Sequence, residues 1–471
     1  MDCFTLGVNE CIKLVRMALM ELKNKRVLVV GIGKSGISAA MFLRGLGARV
    51  TVSDTRSAVA LAEQIPALLD AGIMVESGGH GLLTFRRQDL IVVSPGVPLD
   101  TPEVKQAIGY GLPVIGELEL ASRYLKGGIV AVTGSNGKTT TTTLIGKIFA
   151  DADLPTQVGG NIGLPVIELI AGSTDETTNV LEVSSFQLET TEQFHPRIAI
   201  ILNITPDHLD RHGSFEKYVA AKEKIFANQT SADALVLNAD DRTTQMCAGR
   251  TKANVFWFSA TKVVRQGAFV RDGVVCWIEK EGGTAEPILP VSEIHLKGMH
   301  NVANVLAAVC ATRLATISAE KIRASVAAFK AVEHRLEYVC TANGVEYFND
   351  SKATNVDAAI KAVASFAGCV HLILGGKDKD SDYTQMNEIV HDRVKAVYTI
   401  GSAAEKIERQ LAGVVKIITA GTLATAVAKA AEAAVAGDIV LLAPACASFD
   451  QFDNYEHRGR VFRQLVLDLP G

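Results

Sequence analysis

The chain has 471 residues, too many for one simple core, and at about 150 residues per domain it points to three domains. Its 48% hydrophobic and 21% charged residues describe a globular protein and exclude a disordered or low-complexity chain. Lys+Arg of 47 against Asp+Glu of 51 leaves a formal charge of −4, so no global basic field exists for nucleic acid or an anionic membrane, and any polyanion must be bound locally.

The eight cysteines, at 3, 11, 247, 276, 310, 340, 369 and 446, include no C-x-x-C pair. Neither a zinc ribbon nor a disulfide framework is indicated, and a cytoplasmic location is expected. No apolar run reaches the roughly eighteen residues of a membrane span, so membrane insertion is not expected. Residues 1–19 precede Met20-Glu21-Leu22-Lys23 and read as an N-terminal extension, either an over-long start or a loosely attached helix.

The first β-rich run, RVLVVGIG at 26–33, opens a unit running to about 116, with later strands at Arg49–Val52 and Leu90–Val93. Gly31, Gly33 and Gly36 complete G-x-G-x-x-G between strand and helix, and Asp54 follows the second strand. Alone, this suggests NAD. Ser53-Asp54-Thr55-Arg56, however, combines an acid, a hydroxyl and an arginine that also suit the phosphates and sugars of another nucleotide.

A second unit, 117–332, is expected to hold strands at 129–133, Val180–Val183, Ile198–Ile204 and Ala234–Leu237, with β-leaning sequence at Val255–Phe258 and Gly273–Ile278. In TGSNGKTTTTT, residues 133–143, a glycine turn leads into a Lys-Thr pair at a helix start. Backbone N–H groups, the Lys138 ammonium and the Thr139 hydroxyl converge there as a phosphate cradle, with Lys138 toward β and γ phosphates and Thr139 toward magnesium. The loop departs from G-x-x-x-x-G-K-[ST], since Val132 stands five residues before Gly137; the plain alternative is a glycine turn with a surface lysine.

Glu182 ends the strand in NVLEVSSFQLE, 179–189, where a buried carboxylate needs a partner: a metal on the phosphate loop, or an ordinary lysine or arginine. NITPDHLDRH, 203–212, packs two aspartates and two histidines into six residues after Pro206. His208 is a metal-ligand candidate, and a hydrogen-bonded loop histidine otherwise. In the helix that follows, Tyr218, Lys222, Ile225 and Phe226 share one face while Lys217 and Lys224 share another, so Lys222 alone of the three points inward. It is either a snorkelling or paired lysine, or a lysine converted by carbon dioxide into an N-carboxylate able to ligate a cation.

GMHNVANV at 298–305 sets two asparagines three apart at a helix start, and EHRLE at 333–337 carries an arginine just past the second unit. In the third unit, 333–471, NDSKATN at 349–355 follows the strand-like Val345–Phe348; further strands are expected at 370–375, Val394–Ile400 and Ile439–Leu442, with a helix over Thr422–Val435. These polar clusters flank the boundary between units two and three, where clefts commonly form.

TGSNGKTT, LEVSSFQLE, DHLDRH with AAKEKIF, GMHNVAN and HRLE stand in the order found in the Mur ligase family, the ATP-dependent amino-acid-adding enzymes of peptidoglycan synthesis. SDTR, SPGVPL, GELEL, NDSKATN and PACASFDQF most resemble its D-glutamate-adding member, and the match extends from Met20 over nearly the whole chain. The resemblance implies an α/β fold of three domains: a Rossmann-like N-terminal domain, a central P-loop ATP-binding domain with a parallel sheet, and a Rossmann-like C-terminal domain. It implies that the NAD-like turn serves a uridine diphosphate moiety, with Ser35, Asp54, Thr55, Arg56 and Gly96 around it and Asn161 and His208 further along the substrate. ATP falls to the loop residues Gly134, Ser135, Asn136, Gly137, Lys138, Thr139 and Thr140, with Asn304, Arg335 and Asp350. Thr139, Glu182, His208 and a carbamylated Lys222 would organise magnesium, and Lys138, His208 and Lys222 carry the catalytic roles. Lys352, Thr354, Lys379, Ser448, Phe449 and Tyr455 map to D-glutamate or to closure over it, with Phe449 and Tyr455 expected in one C-terminal loop that folds over the amino acid.

The implied reaction phosphorylates the carboxylate of UDP-N-acetylmuramoyl-L-alanine and lets the amine of D-glutamate displace phosphate, with a monomer expected to suffice. Departures are Ser135 in place of the common loop threonine, and KDKDSD after Gly376, which weakens the placing of Lys379. A folate-polyglutamate synthase shares the loop and the acyl-phosphate logic but not the SDTR-bearing first unit. A nonenzymatic nucleotide sensor would need neither Lys222 nor NDSKATN.

Overall fold

The computed structural model describes residues 21–330 and 332–469, so the expectation for residues 1–19 lies outside the described residues. Three sheets follow one another along the chain, and each draws all its strands from one stretch of sequence. The first has five parallel strands in the spatial order Met74–Ser77, Arg49–Asp54, Arg26–Val30, Leu90–Val93, Val114–Gly116. Val27 to Val30 are fully buried, as a parallel strand covered on both faces requires. Strand order reverses at Arg26–Val30, and the crevice beyond such a switch point is where open α/β sheets bind ligands. Gly31 turns the chain there with φ +96°, and a Cβ on Gly36 would collide with the Gly31 carbonyl, so only glycine lets helix Lys34–Gly45 start this close to the strand end.

The second sheet has nine strands, ordered Glu286–Pro290, Val274–Ile278, Gly267–Arg271, Asn254–Ser259, Ala234–Asn238, Ile198–Ile201, Gly128–Thr133, Thr178–Glu182, Thr156–Gly160. From Gly267–Arg271 to Thr156–Gly160 it is parallel, as expected; the other end is antiparallel. The change of direction is made by Asp272 and Gly273, at φ +52° and +73°, the backbone of a two-residue hairpin turn. Helices Lys138–Asp151 and Met299–Leu314 pack on one face of this sheet through Leu144, Ile145, Ile148, Val305, Leu306 and Val309.

The third sheet has six strands, ordered Glu337–Ala342, Val345–Asn349, Ile439–Leu442, Val370–Gly375, Val394–Ile400, Lys416–Gly421. All neighbours are parallel except the first pair, which Asn343-Gly344, again at positive φ, folds into a hairpin. The expected helix over Thr422–Val435 is Leu423–Ala433, started by the Thr422 side chain accepting from the Thr425 N–H. Among the described residues the cysteines are free thiols and no helix is long and apolar enough to cross a membrane.

The first and second sheets meet at Glu117, which opens helix Glu117–Ser122 directly after Val114–Gly116. Its Oε1 accepts from the Ile167 N–H at 2.7 Å, while its buried Oε2 has no partner. Burial drives its pKa up to about 7, the Ile167 amide opposing and Glu168 adding to the rise. A carboxyl held protonated by the fold contributes stability that is complete below its ordinary value of about 4.5 and is lost as pH rises through about 7. Glu117→Gln should therefore melt above the parent at pH 8 and lose that advantage at pH 4.5, the pH-dependent part being of order 3 kcal/mol at most. Melting curves at both pH values check this, and a constant offset would refute it.

Candidate active site

A cleft of about 800 Å³ runs from the switch point of the first sheet to the phosphate loop of the second and the start of helix Tyr455–Leu467 in the third. At its first-sheet end lie Ser35, Asp54, Thr55, Arg56 and Gly96. Asp54 accepts from the Ile32 N–H at 2.7 Å, and Arg56 reaches both its oxygens at 3.0 and 2.8 Å as well as the Ile32 carbonyl at 2.8 Å. Burial acts to raise the Asp54 pKa, but Arg56 and the two backbone N–H groups prevail and hold it at about 2. The acid and arginine thus brace the glycine turn and also face the cleft.

The phosphate loop is tightly determined. Gly137 sits at φ +87°, where a Cβ would collide with the Asn304 amide, and the helix begins at Lys138 as expected. The Asn136 N–H donates to Asn203 Oδ1 at 2.9 Å, and Asn203 donates back to the Asn136 carbonyl at 3.0 Å. Ser135 Oγ donates to the Thr205 carbonyl, accepts from the Thr205 N–H and meets the Tyr218 hydroxyl at 3.0 Å. Lys138 Nζ lies against the carbonyls of Gly134 and Ser135 at 2.9 and 3.0 Å. Its pKa is lowered, chiefly by desolvation, with Glu182 opposing and Arg335 adding to the drop.

Thr139 and Glu182 come together as the sequence suggested. The Thr139 hydroxyl donates to Glu182 Oε2 at 2.7 Å and accepts from Arg335 at 2.7 Å, while Asn161 donates to Glu182 Oε1 at 2.8 Å. A buried carboxylate beside a hydroxyl at a phosphate loop fits magnesium, which takes one or two protein oxygens and fills its remaining positions with phosphate and water. Among the described residues no group of three or more His, Cys, Asp or Glu side chains suited to a metal occurs.

His208 and Lys222 make their polar contacts elsewhere. His208 lies 3.6 Å from Asp207 and edge-on to Phe186, with its pKa brought down to about 4 chiefly by desolvation. Lys222 is inward as its helical face required, only 1% exposed, with Tyr218, Ile225 and Phe226 buried beside it. Its Nζ donates to the Gly134 carbonyl at 2.8 Å and stands over the Tyr218 ring. Desolvation, reinforced by the nearby Lys138 charge, pushes its pKa well below the usual lysine range.

A second pocket, about 50 Å³, lies between the second and third sheets, with Asn136, Thr140, Asn304, Arg335, Asp350 and Lys352 on its walls. Asp350 is pushed up to about 7 by burial, with Arg335 opposing, and Lys352 is brought down to about 7 by burial and by Arg335. Lys352 Nζ lies 3.5 Å above the Tyr455 ring, Thr354 N–H closes a turn onto the Lys352 carbonyl, and Lys379 reaches Asp207 at 3.3 Å. Ser448 is buried; Phe449 is 67% exposed and lines neither cleft. Phe449 and Tyr455 do not share a loop as expected: the Asn454 side chain accepts from the His457 N–H and caps a helix, so Tyr455 is a fixed helical residue and only the stretch before it is loop. The sequence reading passed over His80, Gln187 and Glu456 on the large cleft and His300 on the small one. For His80 a signal existed, since Gly78 and Gly79, both at positive φ, turn the chain toward the cleft just before it.

Three family models match in succession: the MurD-like N-terminal domain of Mur ligases over residues 25–116, the Mur ligase middle domain over 132–312, and the Mur ligase glutamate ligase domain over 334–446. A UDP-N-acetylmuramoylalanine--D-glutamate ligase of Acidobacterium capsulatum is 66% identical over 448 residues, covering 95% of this chain and 97% of its own. The chain belongs to the Mur ligase family. A second protein of the same name, from Koribacter versatilis, shares 58% identity with this Mur ligase over 96% of the chain and 99% of its own. Among solved structures, a pseudomurein peptide ligase type C from Methanothermus fervidus matches with a TM-score of 0.59 at 21% identity, over 95% of this chain and all of that one. UDP-N-acetylmuramate-alanine ligase from Thermotoga maritima matches at 0.58 and 19%, over 94% and 99%. At these identities the two structures speak for the three-domain α/β fold of this Mur ligase alone.

Proposed function

We propose that this Mur ligase joins D-glutamate to UDP-N-acetylmuramoyl-L-alanine through an acyl phosphate, at the expense of ATP, in peptidoglycan precursor synthesis. The observation that carries the reading is the single cleft in which Asp54 and Arg56 stand at one end and Thr139 and Tyr455 at the other. A substrate with a nucleotide at one end and a reactive carboxylate at the other would lie along it. Ser35, Asp54, Thr55, Arg56 and Gly96 hold the uridine diphosphate; Asn161 and His208 guide the muramoyl-alanine end. ATP lies on residues 134–140, and Asn304, Arg335 and Asp350 complete that site. Domain limits at 116/117 and 332/333 are supported by the confinement of each sheet to one segment.

The substrate carboxylate oxygen attacks the γ phosphorus of ATP and ADP departs. The D-glutamate amine then adds to the acyl carbon, and the tetrahedral intermediate expels phosphate as the amine loses its proton. Lys138 and the loop N–H groups offset the gathering negative charge, and no protein nucleophile is required. Thr139 and Glu182, with His208 and a carbamylated Lys222, would hold magnesium, which when bound adds further cationic compensation. Carbamylation is supported by the lowered Lys222 pKa: only a neutral amine attacks carbon dioxide, and the resulting anion would stand near the Lys138 cation.

Lys352, Thr354, Lys379, Ser448, Phe449 and Tyr455 are assigned to D-glutamate, Phe449 acting from the loop before the last helix. A monomer in the cytoplasm belongs to the same reading, and the free thiols among the described residues fit a reducing compartment. Phosphate release with ATP, UDP-N-acetylmuramoyl-L-alanine and one amino acid at a time tests the reading. D-glutamate should be used, with D-alanine, L-lysine and meso-diaminopimelate inert; efficient use of any of these would overturn the specificity. Asp54→Ala with Arg56→Ala should weaken UDP-substrate binding roughly ten- to a hundred-fold with ATP affinity spared, as titration calorimetry would report. Tight NADH binding would reverse the assignment of this turn.

A further inference from the structure

The central and C-terminal domains exchange carboxylates. Asp207, from the segment after Ile198–Ile201, accepts from two C-terminal-domain side chains, Asn355 at 3.0 Å and Lys379 at 3.3 Å. In return Asp357, in the first turn of helix Val356–Ala364, offers one oxygen to two central-domain side chains, Asn136 at 2.6 Å and Thr205 at 3.3 Å. Lys361, one turn on, holds that same oxygen at 2.6 Å. The local fold aims the carboxylate: Asn355 caps the helix by accepting from the Ala358 N–H, and its amide also meets Asn136 Oδ1 at 3.3 Å.

The two partners of Asp357 are not arbitrary points on the central domain. Asn136 is a member of the phosphate loop, fixed by its backbone to Asn203 and followed by Gly137, whose position leaves no room beside Asn304. Thr205 is bonded through its backbone to Ser135, the preceding loop residue, and lies two residues before Asp207. A single carboxylate of the C-terminal domain therefore grips the phosphate loop directly at residue 136 and indirectly at residue 135. Asp357 lies outside every motif that suggested the function.

We propose that Asp357 is a positioning residue that couples closure of the C-terminal domain to the geometry of the phosphate loop. The role rests on the ligase reading above. In the closed arrangement the carboxylate orients the Asn136 side chain on a loop whose backbone the central domain already holds, so the side-chain lining of the loop that carries Lys138 and Thr139 is complete only when the amino-acid-bearing domain has arrived. This links acyl-phosphate formation to the presence of the domain that supplies its acceptor.

Asp357→Asn keeps size and shape but removes the charge that Asn136 and Lys361 share. With the full-length enzyme, the expected result is kcat lowered roughly ten- to a hundred-fold, a raised KM for ATP and for D-glutamate, and unchanged calorimetric affinity for UDP-N-acetylmuramoyl-L-alanine and melting temperature. Asp357→Glu should recover part of the loss. Small-angle X-ray scattering without substrates gives a second reading independent of turnover: Asp357→Asn should have the larger radius of gyration. Wild-type kinetics and an unchanged radius would overturn the proposal, as would a fall in melting temperature and UDP-substrate affinity matching that in kcat. If the parent enzyme does not ligate D-glutamate, the functional reading fails, and the scattering comparison still decides whether Asp357 holds the domains together.

Discussion

Lys138→Ala is expected to abolish ligation, by roughly a thousand-fold or more, while leaving affinity for UDP-N-acetylmuramoyl-L-alanine within about two-fold of the parent. The ammonium stands at the first residue of the phosphate-loop helix, against two loop carbonyls and near Glu182, where transferred negative charge must be offset at short range and away from bulk water. No other lysine projects from that helix start. The nucleotide end of the UDP substrate belongs to the first sheet, whose Asp54–Arg56 brace is built without any residue of the phosphate loop. Phosphate release and titration calorimetry on the same preparation check both halves. Equal loss of turnover and of UDP-substrate affinity would show that the two ends of the cleft are not separable.

The second large effect is at Lys222. Lys222→Ala should be nearly inactive and should regain part of its turnover with formate, a small carboxylate able to enter the space left by the side chain. A lysine with 1% exposure, whose Nζ meets a loop carbonyl and an aromatic ring, has its pKa pushed well below the usual lysine range by desolvation and by Lys138, which favours the neutral amine. Its neutral amine can take up carbon dioxide and release a proton. Removing the side chain also leaves a cavity, so loss of activity alone would not distinguish a structural lysine from a carbamylated one. Formate rescue does, and so does a carbamate signal in the carbon-13 spectrum of the parent enzyme equilibrated with labelled bicarbonate. A fully folded variant that no small carboxylate rescues, together with no carbamate signal, would reduce Lys222 to a packing and hydrogen-bonding role.

The buried parallel strands were legible because Val27–Val30, Leu90–Val93 and Ile439–Leu442 are unbroken apolar runs. Most of the strands that escaped lie at sheet edges, and Gly267–Arg271, inside the second sheet, escaped as well. Met74–Ser77 and Lys416–Gly421 have partly exposed side chains and so carry no apolar run, while Thr156–Gly160 ends in two glycines. Two hairpins did carry a signal: Asp272-Gly273 and Asn343-Gly344 are turn dipeptides, each joining a strand that was read to one that was not.

Within the site, helical spacing sufficed to turn Lys222 inward, and the position of Glu182 at a strand end brought it to Thr139. What spacing could not give was contact between distant segments. That Arg335 reaches Thr139, that Lys379 reaches Asp207 and that Asp357 reaches Asn136 depend on how the third sheet sits against the second, which no local pattern encodes. Tyr455 was misplaced into a loop because Asn454, its cap, reads equally well as a turn residue.

The most direct measurement follows an oxygen atom. UDP-N-acetylmuramoyl-L-alanine labelled with oxygen-18 in its alanyl carboxylate, incubated with the enzyme, ATP, magnesium and D-glutamate, should yield phosphate carrying one labelled oxygen for each amide bond formed. Release of unlabelled phosphate alongside amide product would contradict an acyl-phosphate route, and release that does not require D-glutamate and the UDP substrate together would contradict the ligase itself.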